Sequence, residues 1–114
     1  MTFPSDDLAW KKGTAEFLVL AQLAGGSAHG YEIARQISDR SLGVLAFNAA
    51  SLYPVLYRLE RRGLIAGRWV EGAGERRRRA YRLTASGRKV LGEKQKSWEA
   101  FMQAVSRAGG LSYA

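Results

Sequence analysis

Arginine is the residue whose type and spacing in this sequence best suit a chemical role. An unbroken run consists of Arg76, Arg77, Arg78 and Arg79. Four more arginines come shortly before it, Arg58, Arg61, Arg62 and Arg68. A guanidinium group binds phosphate through a planar fork of N–H donors, and arginine side chains enter narrow minor grooves of DNA. Since neighbouring guanidinium groups repel each other, a folded protein gains little from this run without an anionic partner. The arrangement predicts that the chain binds a polyanion.

Residue types that enzymes use for catalysis are scarce in the chain. There is no cysteine and one histidine, His29, which removes thiolate zinc sites and cysteine nucleophiles and leaves a histidine-based triad hard to assemble. Glu60 and Glu75 have no partner carboxylate at a spacing typical of acid–base catalysis. His29 precedes a predicted helix, where a structural or phosphate-facing histidine is favoured over a pH sensor or a ligand-binding group. We expect neither an enzyme nor a metal or cofactor site.

The overall charge agrees with a polyanionic partner. The 114 residues include 18 basic and 10 acidic side chains, a net charge of +8. Such a balance favours nucleic acid first and an anionic membrane second. No apolar run approaches the roughly 18 residues of a membrane span, and no leader-like segment opens the chain. We therefore expect a cytoplasmic protein with no membrane partner, in which one folded domain carries an appended helix.

Apolar periodicity and cap residues predict the elements that would position these arginines. Helices are predicted at 14–25, 31–40 and 49–62, with Thr14 as the first N-cap and Asn48 or Ser51 as the third. Residues 8–10 form an arm before the first helix. Two short strands at 64–70 and 79–84 flank a loop that contains two glycines. A last helix at 85–107, capped by Thr84, would be about 35 Å long.

This order of elements is that of a winged helix-turn-helix, mainly α with a small β-hairpin, an α+β fold followed by a long C-terminal helix. Residues 1–84 would form the DNA-binding domain, and residues 85–114 the dimerisation helix and tail. The segment 71–79, which holds the arginine run, would be the wing of the fold, and it is called the arginine wing below.

The third helix is the candidate recognition helix. A major groove about 12 Å wide admits one helix, whose first residues reach base edges while cations further along meet phosphates. The residues suited to base edges are Ser51, Tyr53, Pro54 and Tyr57. The cations suited to phosphates are Arg58, Arg61 and Arg62. The alternatives are a solvated amphipathic helix and, for the arginine run, a solvated loop tip.

The last helix carries a seam like that of a coiled coil. Its apolar residues repeat at intervals of seven, four and three, with one aromatic residue beside them: Leu91, Trp98, Met102, Val105 and Phe101. Exposed on a protruding helix, these side chains would promote aggregation, and a two-fold dimer would bury them. Leu8 and Trp10 of the N-terminal arm are assigned to the same dimer interface. The alternative is that the helix folds back onto its own domain.

Several of these segments resemble the PadR family of bacterial winged-helix transcriptional regulators. The matching residues lie in the family's order at 13–20, 29–33, 51–60, 63–65 and 77–87. They include Leu52-Tyr53-Pro54 in the third helix and Tyr81-Arg82-Leu83-Thr84 after the arginine wing. The chain departs from many members at Ala49-Ala50, where those have a polar residue and glycine.

The resemblance implies a homodimeric regulator, expected to be a repressor, that binds double-stranded DNA at a pseudo-palindromic operator. It also places Tyr31 among the DNA contacts and assigns the dimer interface to the single C-terminal helix. Some small members have a pore between the subunits that binds planar aromatic compounds against a tryptophan of this helix. Trp98 stands at that place, so it is a candidate both for effector binding and for a structural role, which is favoured.

Two rival functions remain compatible with the sequence. A nucleoid-type protein would bind DNA without sequence preference, and its specific-to-nonspecific affinity ratio would be near one, where a regulator is expected to reach about 10³ or more. A membrane-surface or protein adaptor would use the last helix, and it would bind liposomes as a monomer.

Overall fold

The described residues fold as four helices, as the sequence predicts, and as a three-stranded antiparallel sheet, which has one strand more than the predicted hairpin. A computed structural model describes residues 8–71 and 77–111, with side chains at 13–71 and 78–111. The elements in chain order are α1 (Leu8–Leu23), β1 (Ala28–His29), α2 (Gly30–Arg40), α3 (Ala49–Arg61), β2 (Ile65–Glu71), β3 (Arg77–Leu83) and α4 (Ala85–Ala108). The strand order in the sheet is β1-β3-β2. The winged helix-turn-helix class with its long C-terminal helix is confirmed.

The core lies where the first three helices meet each other and the sheet. The apolar stripe predicted for α3 is fully buried, and it consists of Leu52, Val55, Leu56 and Leu59. It packs among side chains of α1, α2 and the start of β2, which include Val19, Leu20, Ile33, Ile37 and Ile65. Burial of this stripe on one side leaves the other side of α3 to solvent.

The first helix begins earlier than the sequence indicates. Thr14 does not cap it: α1 begins at Leu8, and Thr14 is buried inside it. The arm expected at 8–10 is the first turn of the same helix. Gly13 lowers helix propensity by about 1 kcal/mol relative to alanine, which resembles a helix boundary in the sequence but does not end the helix.

The sheet has one strand that the sequence does not reveal. Ala28 and His29 pair with Tyr81 and Ala80 of β3, and two residues are too few to show a strand period. The hairpin pairs β2 with β3 from Ile65 opposite Leu83 to Glu71 opposite Arg77. The predicted strands are thus shifted by one or two residues. Residues 72–76 of the arginine wing, Arg76 among them, lie outside the described residues.

Local caps fix both ends of α3. Asn48 is the N-cap, since its Oδ1 accepts a hydrogen bond from the Ser51 backbone N–H at 2.7 Å. The helix ends at Arg61, one residue before the predicted end. Gly63 follows with a φ of 73°, and the Leu64 N–H donates to the Leu59 carbonyl at 3.0 Å. This is a Schellman motif, in which glycine tolerates the left-handed conformation.

The C-terminal helix starts tightly against the hairpin. Thr84 caps α4 as predicted, and its Oγ1 accepts from the Gly87 N–H at 3.0 Å. A Cβ at Gly87 would overlap the carbonyl oxygen of Leu64, so only glycine allows this approach. From there the 24 residues of α4 extend for about 36 Å, and the molecule measures 53 × 28 × 25 Å.

Candidate nucleic-acid interface

Three tyrosines dominate the solvent side of the helix-turn-helix. Tyr31 is 67% exposed at the start of α2, and Tyr57 is 62% exposed on α3. Tyr53 is also exposed, and its ring passes beside Gly30, where it lies 3.6 Å from the position of a Cβ. The contact of Tyr53 with Gly30 therefore brings the start of α2 against the N-terminal half of α3.

The remaining residues predicted to reach base edges lie on the same side of α3. Ser51 and Pro54 are both exposed. The Ser51 hydroxyl donates to the Asn48 carbonyl at 2.8 Å, which leaves its oxygen able to accept a hydrogen bond. Pro54 lies in the second turn of α3, and the helix continues through it. Four side chains of α3 thus face solvent, and two of them carry hydroxyl groups on aromatic rings.

The three arginines at the C-terminal end of α3, two in the helix and Arg62 as its C-cap, differ in their surroundings. Arg61 is exposed, and its guanidinium lies 5.7 Å from the centroid of the Tyr57 ring. Arg58 and Arg62 instead reach back to α1, where Nε of Arg58 and Nη1 of Arg62 each lie 3.4 Å from an oxygen of Glu16. The Glu16 side chain is only 12% exposed. Arg61 therefore projects to solvent, whereas Arg58 and Arg62 anchor the end of α3 to α1.

Sequence reasoning missed the pairing of Glu16 with Arg58 and Arg62. The signal available was an acidic residue on a helix that is apolar nearly all round. A buried carboxylate needs a cationic partner, and the partner here comes from α3, 42 residues further along the chain.

The arginine wing presents one exposed guanidinium within the described part. Arg78 is exposed on β3, opposite Val70. Arg76 and the side chain of Arg77 lie outside the described residues. Arg79 is turned inward: its Nη2 donates to Oε2 of Glu60 at 2.6 Å. The structure thus gives Arg78 and Arg79 different environments, although the sequence treats them alike.

Aromatic rings surround the Arg79 guanidinium. Its Cζ lies 5.4 Å from the Trp69 ring centroid and 5.8 Å from that of Tyr81. Burial raises the pKa of the Tyr81 phenol above its usual value of 10, with a smaller opposing effect from the charge of Arg79. Tyr81 is therefore neutral at physiological pH and acts as a packing surface.

The single histidine joins α2 to the sheet. His29 is the N-cap of α2, and its backbone N–H donates to Oε1 of Glu32 at 3.0 Å. Its Nδ1 lies 3.4 Å from the carbonyl oxygen of Arg79. These contacts give His29 a structural role at the junction of β1, β3 and α2.

The C-terminal helix folds back onto α1 at one point and exposes an apolar surface beyond it. Trp98 stacks on Phe17 with ring centroids 5.6 Å apart and an angle of 19° between the planes, and Phe101 meets it edge-on at 6.1 Å. Phe101 is 53% exposed, and Met102 and Val105 are exposed as well. These three residues, with the partly buried Trp98, are called the α4 patch below.

The remaining residues predicted for the dimer interface are Leu91 of α4 and Leu8 and Trp10 of the N-terminal arm. Leu91 is 4% exposed and belongs to the core of its own chain, because α4 passes over the hairpin there. Its side chain is not available to a second copy, which corrects the prediction. The side chains of Leu8 and Trp10 lie outside those that the structure describes.

Other kinds of site find no support in the part of the chain that the structure describes. No cluster of three or more potential metal ligands occurs there. Within the same residues, none of the helices combines the length and the apolar character that crossing a bilayer requires.

Comparison with known proteins identifies the family. The sequence profile of the transcriptional regulator PadR-like family matches residues 19–93. The transcriptional regulator Rv3488 of Mycobacterium tuberculosis is 31% identical over 106 residues, which cover 91% of this chain and 92% of that protein. A PadR family transcriptional regulator from Eggerthella lenta is 34% identical in a structural alignment that covers 89% of this chain and 86% of the other, with a TM-score of 0.74.

The fold also matches a protein solved with DNA. The structure of Bacillus subtilis PadR in complex with operator DNA aligns with a TM-score of 0.67 at 23% identity, over 72% of this chain and 46% of that one. The PadR-like family consists of DNA-binding transcriptional regulators, so the expectation that the chain is not an enzyme is confirmed. The chain belongs to the PadR-like family of transcriptional regulators.

Proposed function

We propose that the chain is a homodimeric repressor that recognises a pseudo-palindromic DNA operator, with α3 in the major groove and the arginine wing against the adjacent backbone or minor groove. The observation that carries the proposal is the division of α3 into a buried apolar stripe and an exposed side that bears Ser51, Tyr53, Tyr57 and Arg61. Because the proposed partner is genomic DNA, we place this activity in the cytoplasm.

The exposed side of α3 matches what base recognition requires. Hydroxyl groups donate and accept hydrogen bonds at base edges, and the Pro54 ring offers an apolar contact such as a thymine methyl prefers. Tyr31 extends this surface from α2. Arg61 follows one to two turns later on the helix, where the phosphate backbone comes close to a helix that lies in the groove. The hydrogen bonds to base edges, the apolar contact and the phosphate contact would then lie side by side on one duplex.

The arginine wing supplies the second contact. Arg78 is exposed on β3, and the sequence adds Arg76 and Arg77 to the same hairpin. Guanidinium groups at a wing tip bind phosphate or enter the minor groove whatever the base sequence. The wing thus supplies affinity, and the α3 surface supplies specificity. The relative from Bacillus subtilis, solved with operator DNA, supports duplex DNA as the partner.

The α4 patch supports a dimer. Phe101, Met102 and Val105 are large apolar side chains left exposed on a single helix, and a second copy related by a two-fold axis would cover both patches at once. Leu8 and Trp10, at the N-terminal end of α1, are proposed to complete this interface. Such a dimer would hold two α3 helices on one face of the duplex.

A planar aromatic effector is the further part of the proposal. Trp98 stacks on Phe17 and has Phe101 at its edge, and the half-exposed ring of Phe101 in the same α4 patch offers aromatic surface on which a flat compound could stack. Quenching of tryptophan fluorescence by a panel of planar compounds tests this. Because Trp10 and Trp69 also fluoresce, the panel is repeated on Trp98→Phe. Equal quenching in both proteins would remove the effector from the proposal.

Selection of bound duplexes from a random pool tests the proposed function. We expect a two-fold symmetric sequence whose affinity exceeds that of random DNA by about 10³ or more. A ratio near one in competition assays would instead identify a nucleoid-type protein. A reporter promoter that carries the selected site should lose expression when the protein is present, and a gain of expression would identify an activator.

A further inference from the structure

The carboxylate of Glu60 joins the recognition helix to both strands of the hairpin. Its Oε2 accepts a hydrogen bond from Nη2 of Arg79 at 2.6 Å and one from the backbone N–H of Gly67 at 3.1 Å. Glu60 lies in the last turn of α3, Gly67 on β2 and Arg79 on β3. One oxygen atom therefore connects α3 to the two strands that carry the arginine wing.

The guanidinium of Arg79 is held at its faces as well as at its edge. The rings of Trp69 and Tyr81 lie within 6 Å of its Cζ. It also crosses β2 where Gly67 has no side chain, since a Cβ there would lie 2.7 Å from its Nε. The Arg79 side chain is 29% exposed. Its charge is directed to Glu60, whereas Arg78 beside it projects to solvent.

We propose that Glu60 and Arg79 are positioning residues, whose ion pair sets the angle between α3 and the arginine wing so that both reach one duplex together. The inference rests on the proposed function, because DNA is the ligand that the two elements share. Arg79 then acts through the wing, and it is not itself a phosphate contact. This differs from the role that the sequence predicts for it.

The substitution Glu60→Gln distinguishes a phosphate-binding Arg79 from a positioning Arg79 by whether DNA affinity rises or falls. A phosphate-binding Arg79 would be released, so DNA affinity would rise and the slope of log affinity against log salt would steepen by about 0.9 per chain. A positioning Arg79 would lose its anchor. We then expect about tenfold weaker binding, as for the loss of a hydrogen bond to a charged group, with an unchanged salt slope.

A second variant tests the geometry of the arginine. Arg79→Lys keeps the positive charge but removes the planar fork and the stacking on two rings. For a positioning role we expect it to bind as weakly as Glu60→Gln. For a phosphate contact it would keep most of the affinity and the full salt slope.

Two controls match these variants in the charge that they remove. Glu93→Gln removes one negative charge from an exposed position on α4, outside the proposed DNA contacts, and we expect unchanged binding. Arg78→Ala removes an exposed cation, and we expect weaker binding with a salt slope lower by about 0.9 per chain. The probes are a duplex selected by the wild-type protein and a random-sequence duplex of the same length.

The result that overturns the inference is tighter binding by Glu60→Gln, or unchanged binding by both Glu60→Gln and Arg79→Lys. A wild-type protein that binds no duplex would defeat the proposed function separately. In that case hydrogen exchange of the Gly67 amide in the free protein still tests the anchor: faster exchange in Glu60→Gln supports it, and unchanged exchange refutes it.

Discussion

Phe17 of α1 and Trp98 of α4 stack with their ring centroids 5.6 Å apart. The contact lies within one chain, so part of the Trp98 indole serves the fold of the monomer before any second copy or effector binds. Glu16, the neighbour of Phe17, is paired with Arg58 and Arg62 of the recognition helix. A single turn of α1 thus contacts both the C-terminal helix and the helix proposed to recognise DNA.

Truncation of Trp98 should weaken folding as well as dimerisation. Trp98→Ala removes a stacked pair and an edge contact, and we expect a loss of about 1–3 kcal/mol in the free energy of unfolding. Phe101→Ala is the matched control, because it removes an exposed ring of the α4 patch: it should weaken the dimer more than the fold. Urea unfolding at several protein concentrations and sedimentation measure both effects. An unfolding free energy unaffected by Trp98→Ala would contradict the stacking account.

Two glycines of α4 should respond to alanine with opposite signs. Gly87→Ala places a Cβ against the backbone of Leu64, which cannot move aside, and we expect a loss of about 1–3 kcal/mol or more. Gly92→Ala adds a Cβ that meets nothing within 4 Å, so helix propensity should raise stability by up to about 1 kcal/mol. Urea unfolding of the two variants checks this, and a stable Gly87→Ala protein would show that α4 does not pack as described.

The turn after α2 contains a strained residue. Leu42 has a φ of 55° and is 91% exposed. Its side chain therefore adds little packing energy, while its left-handed backbone conformation costs about 1–2 kcal/mol. Leu42→Gly removes this backbone strain but gives the unfolded chain more conformational freedom, which offsets part of the gain. The free energy of unfolding should therefore rise by up to about 1 kcal/mol. Gly63→Ala, at a φ of 73°, should lower it by a similar amount. Thermal melts measure both effects, and a shift of the melting temperature in the same direction for Leu42→Gly and Gly63→Ala would disprove this interpretation.

Arg61 and Arg58 should differ although both lie on α3. Arg61→Ala should lower the salt slope of DNA binding by about 0.9 per chain with no change in melting temperature, since the side chain is exposed. Arg58→Ala also removes a partner of the buried Glu16, so a lower melting temperature should accompany any loss of binding. Salt titrations and thermal melts on both variants measure this. If Arg58→Ala and Arg61→Ala melt at the same temperature, the ion pair between Arg58 and Glu16 contributes nothing to stability.

Local chemistry allowed much of the fold to be predicted. The bounds of α2, α3 and α4 and the caps at Asn48 and Thr84 depend on residues close in sequence, and the structure has these bounds within one residue of the prediction. The start of α1 was missed because Gly13-Thr14 has the composition of a helix boundary. The strand β1 was missed because it exists only by pairing with β3, some 50 residues away.

The candidate site was predictable in outline but not in its internal pairing. The exposed side of α3 and the basic hairpin follow from periodicity and charge. The distinction between Arg78 and Arg79 does not, because it depends on Glu60 and on the rings of Trp69 and Tyr81. Adjacent strand residues point to opposite faces, and only the register of the hairpin shows which face meets α3.

The number of chains bound to the selected duplex tests the central claim most directly. Sedimentation of the complex should give two chains per duplex, and the selected site should hold two symmetric half-sites centred about 10 base pairs apart, one helical turn. Scrambling one half-site should abolish the two-chain complex at concentrations that saturate the intact site. A complex of one chain per duplex, or a selected site without two-fold symmetry, would contradict the account.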